Sequence, residues 1–370
     1  MTSQLSANTS QTNSDSDRLV GRVIAILALL LAAYRGLRPP SLWGSMYLMP
    51  TVQDGFWRRS FLGILFRTLP WPVDYRFYAL WSYAVAAVVL ALLVRLAWRS
   101  RDKSVAWVVF FSSPFGYYFF QDIGYPDLFV FALFVVAVQT LRQGHTIFSA
   151  LLMCVALMNH ELALLFVVPY YLAELILSPQ GRRRWYAVVL LVAAAAPLLG
   201  KPVYPEAKID ALRIYALHAL GGHIRADFLD IYRKAYLQQL RFNWPILFVY
   251  QACLVVPAAM GLLLQERVMK RVLYGAALLS PLLLDLVGTD IERWFFLFGL
   301  LTFYHVLSRD EALRLPFRAL LPLFLLFCLF SASGLYLFYG YQARSFDLSG
   351  LRNFSDDFQR MRHFQIPSQG

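Results

Sequence analysis

The stretch RFYALWSYAVAAVVLALLVRLA, running from Arg76 to Ala97, decides the class of the fold. Between Arg76 and Arg95 it contains no acid, lysine or arginine. A bilayer core about 30 Å thick is crossed by roughly 20 helical residues, and this run meets that measure. Working outward, further apolar runs lie near 18–34, 105–120, 126–141, 147–160, 161–177, 185–200, 245–264, 272–288, 293–308 and 317–340. With 76–97 they give about eleven candidate transmembrane helices. Composition agrees: of 370 residues, 59% are hydrophobic and 15% charged, against about 25% charged in a soluble domain. Mean hydropathy is +0.53. No aqueous fold hides that much apolar surface, which excludes a cytosolic enzyme, a secreted disulfide scaffold and a disordered chain. The expected fold is an all-α polytopic membrane protein.

Residues 1–17, rich in Ser, Thr, Asn and Gln, read as a disordered tail. Residues 18–343 form a single transmembrane domain, and 344–370 a C-terminal tail. The run from Val23 to Tyr34 follows Arg18 and Arg22 and lacks an A-x-A cleavage site, so it reads as an uncleaved signal anchor. With the N-terminus in the cytoplasm, the short inner loops carry Arg99, Arg101 and Lys103; Arg142; Arg182, Arg183 and Arg184; Arg267, Lys270 and Arg271; and Arg309 and Arg314. The short outer connections 121–125, 159–161 and 288–292 carry no Lys or Arg. That alternation follows the positive-inside rule. It also accounts for the net charge of +12 through orientation and anionic lipid head groups, with no need for nucleic acid. Cys154, Cys253 and Cys328 sit in apolar runs without CxxC spacing and read as small core residues.

Two longer outer segments break the pattern. Residues 35–75 are too apolar for a solvated linker and too broken by proline for one helix, so short interfacial helices are expected. Residues 201–244 show helical periodicity from Lys208 to Leu240, with aliphatic and aromatic residues among the charges. That pattern fits a helix in the outer interface, either as a solvated amphipathic face or as a holder of lipid phosphate.

With this topology the ionisable residues gather on the outer side, at helix ends. Charges at membrane depth are costly and tend to mark sites. In the first outer loop Asp54 stands four residues before Arg58, with Arg59 beside it, so on a helix Asp54 and Arg58 share a face. The pair reads either as an interfacial ion pair or as a carboxylate base beside phosphate-binding guanidinium groups. Asp127 follows Pro126 and suits a helix start, where a carboxylate offsets the dipole. Asp122 ends an aromatic run, Tyr117 to Phe120, and has no such local task. His160 and Glu161 lie between two apolar runs, as a packing histidine beside an acid or as a dyad, proton relay or metal-ligand pair. Asp290 lies close to Arg293 and repeats the acid-near-arginine theme. The carboxylates and His160 would suit Mn²⁺ or Mg²⁺, but no spacing requires a metal. GxSxG, HExxH, GxGxxG and Walker sequences are absent, as is any internal repeat.

The long first loop with Asp54, the later outer acids Asp122 and Asp290, and the basic segment 201–244 together resemble the GT-C superfamily of integral-membrane glycosyltransferases. The resemblance covers the general plan of the chain. Many members carry an Asp-x-Asp or Glu-x-Asp pair in the first loop, whereas this chain has Gln53-Asp54-Gly55. The resemblance implies transfer of a sugar from a polyprenyl-phosphate donor to a sugar, lipid or protein hydroxyl at the extracytoplasmic face, in an inner membrane of bacterial type. It implies Asp54 as catalytic base and Arg58, Arg59 and Arg293 on the lipid phosphate. Asp122, Asp127, His160, Glu161 and Asp290 would bind substrate. The rival readings are a transporter or flippase for a lipid-linked or anionic solute, a polysaccharide polymerase or ligase, a membrane acyltransferase using His160, and a structural membrane subunit.

Overall fold

The computed structural model describes residues 2–40, 42–45, 48, 61–68, 70, 73–99, 104–179, 181–196, 267–286, 291–308, 337–338, 341–342, 354–356, 358–359 and 362. Among these the chain is helical apart from one antiparallel pairing of Leu337–Phe338 (β1) with Tyr341–Gln342 (β2). The helices are α1 (Thr2–Gly36), α2 (Leu42–Ser45), α3 (Phe61–Arg67), α4 (Tyr75–Arg99), α5 (Ser104–Ser112), α6 (Pro114–Gln121), α7 (Asp127–Arg142), α8 (Thr146–Asn159), α9 (Ala163–Phe166), α10 (Val168–Leu177), α11 (Arg183–Ala195), α12 (Val268–Leu279) and α13 (Ile291–Leu307). A 3₁₀ helix, Ser280–Leu286, extends α12.

Two segments, Leu19–Gly36 and Tyr75–Ala97, are long and apolar enough to cross a membrane. In each, only 39% of the spanning window is buried inside the protein. Helices also occupy the other described runs, but they are shorter. The run 105–120 divides into α5 and α6 because Ser113 caps a new helix. Its hydroxyl accepts the Phe115 N–H at 3.3 Å, and Pro114 stands at the first helical position. The run 161–177 divides at Val167, ahead of Pro169. The expected span 245–264, residues 317–336 of the expected span 317–340, and the segment 201–244 lie outside the described residues. Residues 337–338, at the end of the last expected span, form β1. At the ends of the chain, residues 2–17 continue α1 and contain neither Pro nor Gly to break a helix. In the C-terminal segment Phe358 packs its ring 6.0 Å from that of Tyr75.

Helix α7 lies at the centre, packed on α4, α8 and α10. It starts on Pro126 with Asp127 in its first turn and ends with Arg142 in its last, so each charge opposes the local end of the helix dipole. Its C-terminus closes as a Schellman motif. Gly144, at φ 92°, donates to Leu141 O at 2.9 Å, and His145 donates to Thr140 O at 3.0 Å. Phe131, Phe134, Val135 and Val138 are fully buried, and rings from α10 and α13 meet the two phenylalanines edge-on.

A smaller cluster fixes the start of the first outer segment. Asp74 caps α4 by accepting the Phe77 N–H at 2.8 Å. From that helix Tyr75 donates to Pro40 O at 2.8 Å, Tyr83 to Arg38 O at 2.9 Å and Tyr78 to Gly124 O at 3.1 Å. Three phenols thus tie the backbone after α1 and the α6–α7 connection to one helix. That connection is a turn in which Tyr125 N–H bonds Asp122 O at 3.1 Å and Gly124 takes φ 112°. The third position of such a turn requires the left-handed region. A Cβ at Gly124 would also collide with the Tyr78 hydroxyl and come within 2.9 Å of Pro40 Cβ. Gly124→Ala is expected to destabilise the protein by about 2–4 kcal/mol. The loss is read as a fall in the melting temperature of detergent-purified protein, with Gly44→Ala, whose Cβ meets the same phenol, moving it in the same direction.

Candidate functional site

The two ends of α7 define two chemically different ends of the bundle. Its 16 residues place Asp127 and Arg142 about 22 Å apart along the axis. At the first end the Arg293 guanidinium grips the Asp127 carboxylate in a fork, Nε to Oδ2 at 2.5 Å and Nη2 to Oδ1 at 2.8 Å. The same guanidinium lies 4.6 Å from the Tyr125 ring centroid and 5.4 Å from that of Trp294. Both partners are buried. The α6–α7 connection is therefore welded to the first turn of α13 by charge, geometry and stacking at once.

Asp122 is buried as the C-cap of α6, with its N–H on Tyr118 O at 2.8 Å. Because α7 and α8 run antiparallel through a short connection, the end of α8 returns to the Asp127 end and brings Asn159, His160 and Glu161 with it. Asp122, Asp127, His160, Glu161 and Arg293 thus share one end of the bundle. The structure joins Asp127 to Arg293 directly and brings His160 Nδ1 to 3.4 Å from Glu161 Oε2. Asp54, Arg58, Arg59 and Asp290 lie outside the described residues.

Two contacts of His160 compete for one atom. Nδ1 accepts the Leu162 N–H at 3.0 Å, which requires an unprotonated nitrogen. An ion pair from Nδ1 to Glu161 requires a protonated one. The backbone bond is the shorter of the two, and through it His160 caps the turn that leads into α9. For a metal, His160 and Glu161 supply two neighbouring donors. No group of three candidate ligands assembles among the described residues.

A recess of about 20 Å³ adjoins this end, lined in part by Leu48, Leu62, Tyr78, Gly124, Tyr125 and Pro126. It has room for about one water and not for a sugar ring. Its lining matters more than its volume: Leu48 and Leu62, which flank in sequence the stretch that carries Asp54, line it together with Gly124 and Tyr125 of the turn that begins at Asp122. Three buried polar atoms at the same end, Gln121 Oε1, Asn159 Nδ2 and Trp294 Nε1, find no hydrogen-bond partner among the described residues.

At the opposite end Arg142 forks onto Glu174 of α10, Nη2 to Oε1 at 2.6 Å and Nε to Oε2 at 3.1 Å. Tyr274 of α12 donates to Glu174 Oε1 at 3.0 Å. Nearby, the Tyr170 hydroxyl and His305 Nδ1 lie 2.7 Å apart. Sequence reasoning does not single out this cluster. Its one available signal is Glu174 itself, the sole charge in the apolar run Val168–Leu177.

The chain matches no protein-family model, curated protein or solved structure with which it was compared.

Asp127→Ala or Arg293→Ala leaves one charge buried and unpaired, and each is expected to destabilise by about 3–5 kcal/mol. Replacing both by apolar residues of similar volume is expected to recover most of that loss, as measured by a double-mutant cycle on thermal unfolding. His160→Asn keeps an acceptor for the Leu162 N–H and is expected to melt close to the wild type. His160→Leu removes that acceptor and is expected to lose about 1–3 kcal/mol.

Proposed function

We propose that the chain is a polytopic inner-membrane glycosyltransferase of GT-C type, with about eleven spans, a cytoplasmic N-terminus and its site at the Asp127 end, facing outward. The observation that carries this reading is the shared lining of the small recess. Leu48 and Leu62 lie on either side of Asp54 in sequence, and both line the same recess as Tyr125 and Pro126, which stand between Asp122 and Asp127. That shared lining supports a place for Asp54 near the other acids. Exposed Leu, Val, Ile, Phe and Trp side chains on α1, α4, α8, α11 and α12 support membrane embedding.

The chemistry follows from the groups available. An acceptor hydroxyl is a poor nucleophile until a base takes its proton in the transition state, and Asp54 is that base. The acceptor oxygen bonds to the anomeric carbon from the face opposite the lipid phosphate. As that bond forms, the bond from the anomeric carbon to the phosphate oxygen breaks, and the phosphate leaves with the electron pair. The anomeric centre inverts. Arg58 and Arg59 neutralise the charge developing on the leaving phosphate. Asp122, Glu161 and Asp290 orient substrate hydroxyls. Arg293 and Asp127 hold the Asp122 turn in place, a task their mutual fork already performs. No step is routed through a metal.

A second reading, a transporter or flippase for a lipid-linked or anionic solute, draws on the Arg142–Glu174–Tyr274 group at the far end, in which Glu174 and Tyr274 are buried and which an enzyme working at one face does not need. Turnover separates the two. Purified protein in nanodiscs, given polyprenyl-phosphate sugars and an acceptor, is expected to release polyprenyl phosphate. Asp54→Asn is expected to reduce that release by at least about 10²-fold, within the range of a general base, with an unchanged melting temperature. EDTA is expected to leave turnover intact. Solute movement across a sealed vesicle without release of polyprenyl phosphate would establish the transporter instead.

A further inference from the structure

Opposite the acids, the bundle has an end rich in cations. Arg142 closes α7 there, Arg182, Arg183 and Arg184 lead into α11, and Arg267, Lys270 and Arg271 lead into α12. The bonds from Arg142 and Tyr274 to Glu174 bring the end of α7, the end of α10 and the start of α12 together. Helix α11 begins six residues after α10 ends, so its arginines belong to the same end. Neither α11 nor α12 has an acid in its first turn. Cations in a first turn oppose the helix dipole, so helix stability does not account for them.

The side chains beyond these cations come in a definite order. Trp185 and Tyr186 are 63% and 64% exposed, and Val189 and Val192 continue an exposed apolar face along α11. The Arg184 guanidinium lies 5.7 Å from the Trp185 ring centroid. Along the helix the surface therefore runs from guanidinium groups to amphipathic rings to aliphatic side chains, the order in which a leaflet presents phosphate, interface and acyl chains. We infer that the segment Arg182–Tyr186, at the start of this exposed α11 face, docks on the anionic phospholipid head groups of the leaflet at the cationic end. The guanidinium groups pair with lipid phosphates, Trp185 and Tyr186 lie at head-group level, and Val189 and Val192 meet the acyl chains. The inference rests on the membrane reading of the fold and adds a partner at the end away from the acids.

The test uses the full chain in nanodiscs of phosphatidylcholine alone or mixed with phosphatidylglycerol. Lipid retention is read by native mass spectrometry and thermal stability by melting. The wild type is expected to retain phosphatidylglycerol over phosphatidylcholine and to melt higher in the mixed discs. The triple variant Arg182→Gln, Arg183→Gln, Arg184→Gln is expected to lose that preference by about tenfold or more. A lysine triple at the same positions keeps the charge and is expected to keep the preference, which separates lost binding from lost folding. Equal retention of the two lipids by the wild type would overturn the inference, as would an unchanged preference in the glutamine triple. A matching thermal gain from inorganic phosphate would overturn it too, by showing a simple anion site. Failure of the protein to enter nanodiscs at all would overturn the membrane reading, and this inference with it.

Discussion

Helix α7 is held at both ends by ion pairs, and the arrangement of its neighbours depends on that constraint. Asp127 reaches Arg293 of α13, and Arg142 reaches Glu174 of α10, which also accepts from Tyr274 of α12. Each charge suits its own end of the α7 dipole before any partner arrives. Desolvation offsets much of what such pairs contribute when formed, but a mispaired buried charge is expensive. A one-turn slide of α13 or α10 along α7 would leave a charge stranded among aromatic rings. The apolar core permits many helix packings, and the two forks select one of them.

The clamp also separates the chemistry of the two ends. The Asp127 end collects the α6–α7 turn, the end of α8 and the start of α13, together with the backbone of residues 38–40 held by tyrosines of α4. The Arg142 end collects the arginines and lysine at the starts of α11 and α12. A bundle with acids at one end and cations at the other has a direction, and in a bilayer that direction becomes an orientation. The proposed transfer at one end and the proposed lipid docking at the other both arise from that polarity.

Helix positions were legible in the sequence wherever hydrophobic runs were bounded by Pro, Gly or charge. Asp127 and Arg142 mark the limits of α7 because those residue types favour those ends. The convergence of Asp122, Asp127, His160, Glu161 and Arg293 was legible only through loop charge, which encodes sidedness and not contact. The Asp127–Arg293 fork spans 166 residues, and no local pattern announces so distant a partner. The roles of Tyr75, Tyr78 and Tyr83 were not legible, because a sequence shows a phenol but not the carbonyl it will meet. The Ser113–Pro114 break was signalled by its residue types and hidden by the hydrophobic run around it. His160 reads in the sequence as a partner for Glu161, and the structure adds a backbone partner that no side-chain pattern announces, the Leu162 N–H two residues on.

In the proposed function Asp54 works at the Asp127 end, on a sugar carried by a lipid phosphate. An experimental structure of the protein in nanodiscs with a polyprenyl-phosphate sugar bound tests this proposal. The expected result is that the Asp54 carboxylate and Asp122 line one cavity open sideways to lipid, with the lipid phosphate against Arg58 and Arg59. Asp54 directed into bulk water, or a ligand bound among Arg142, Glu174 and Tyr274, would contradict it.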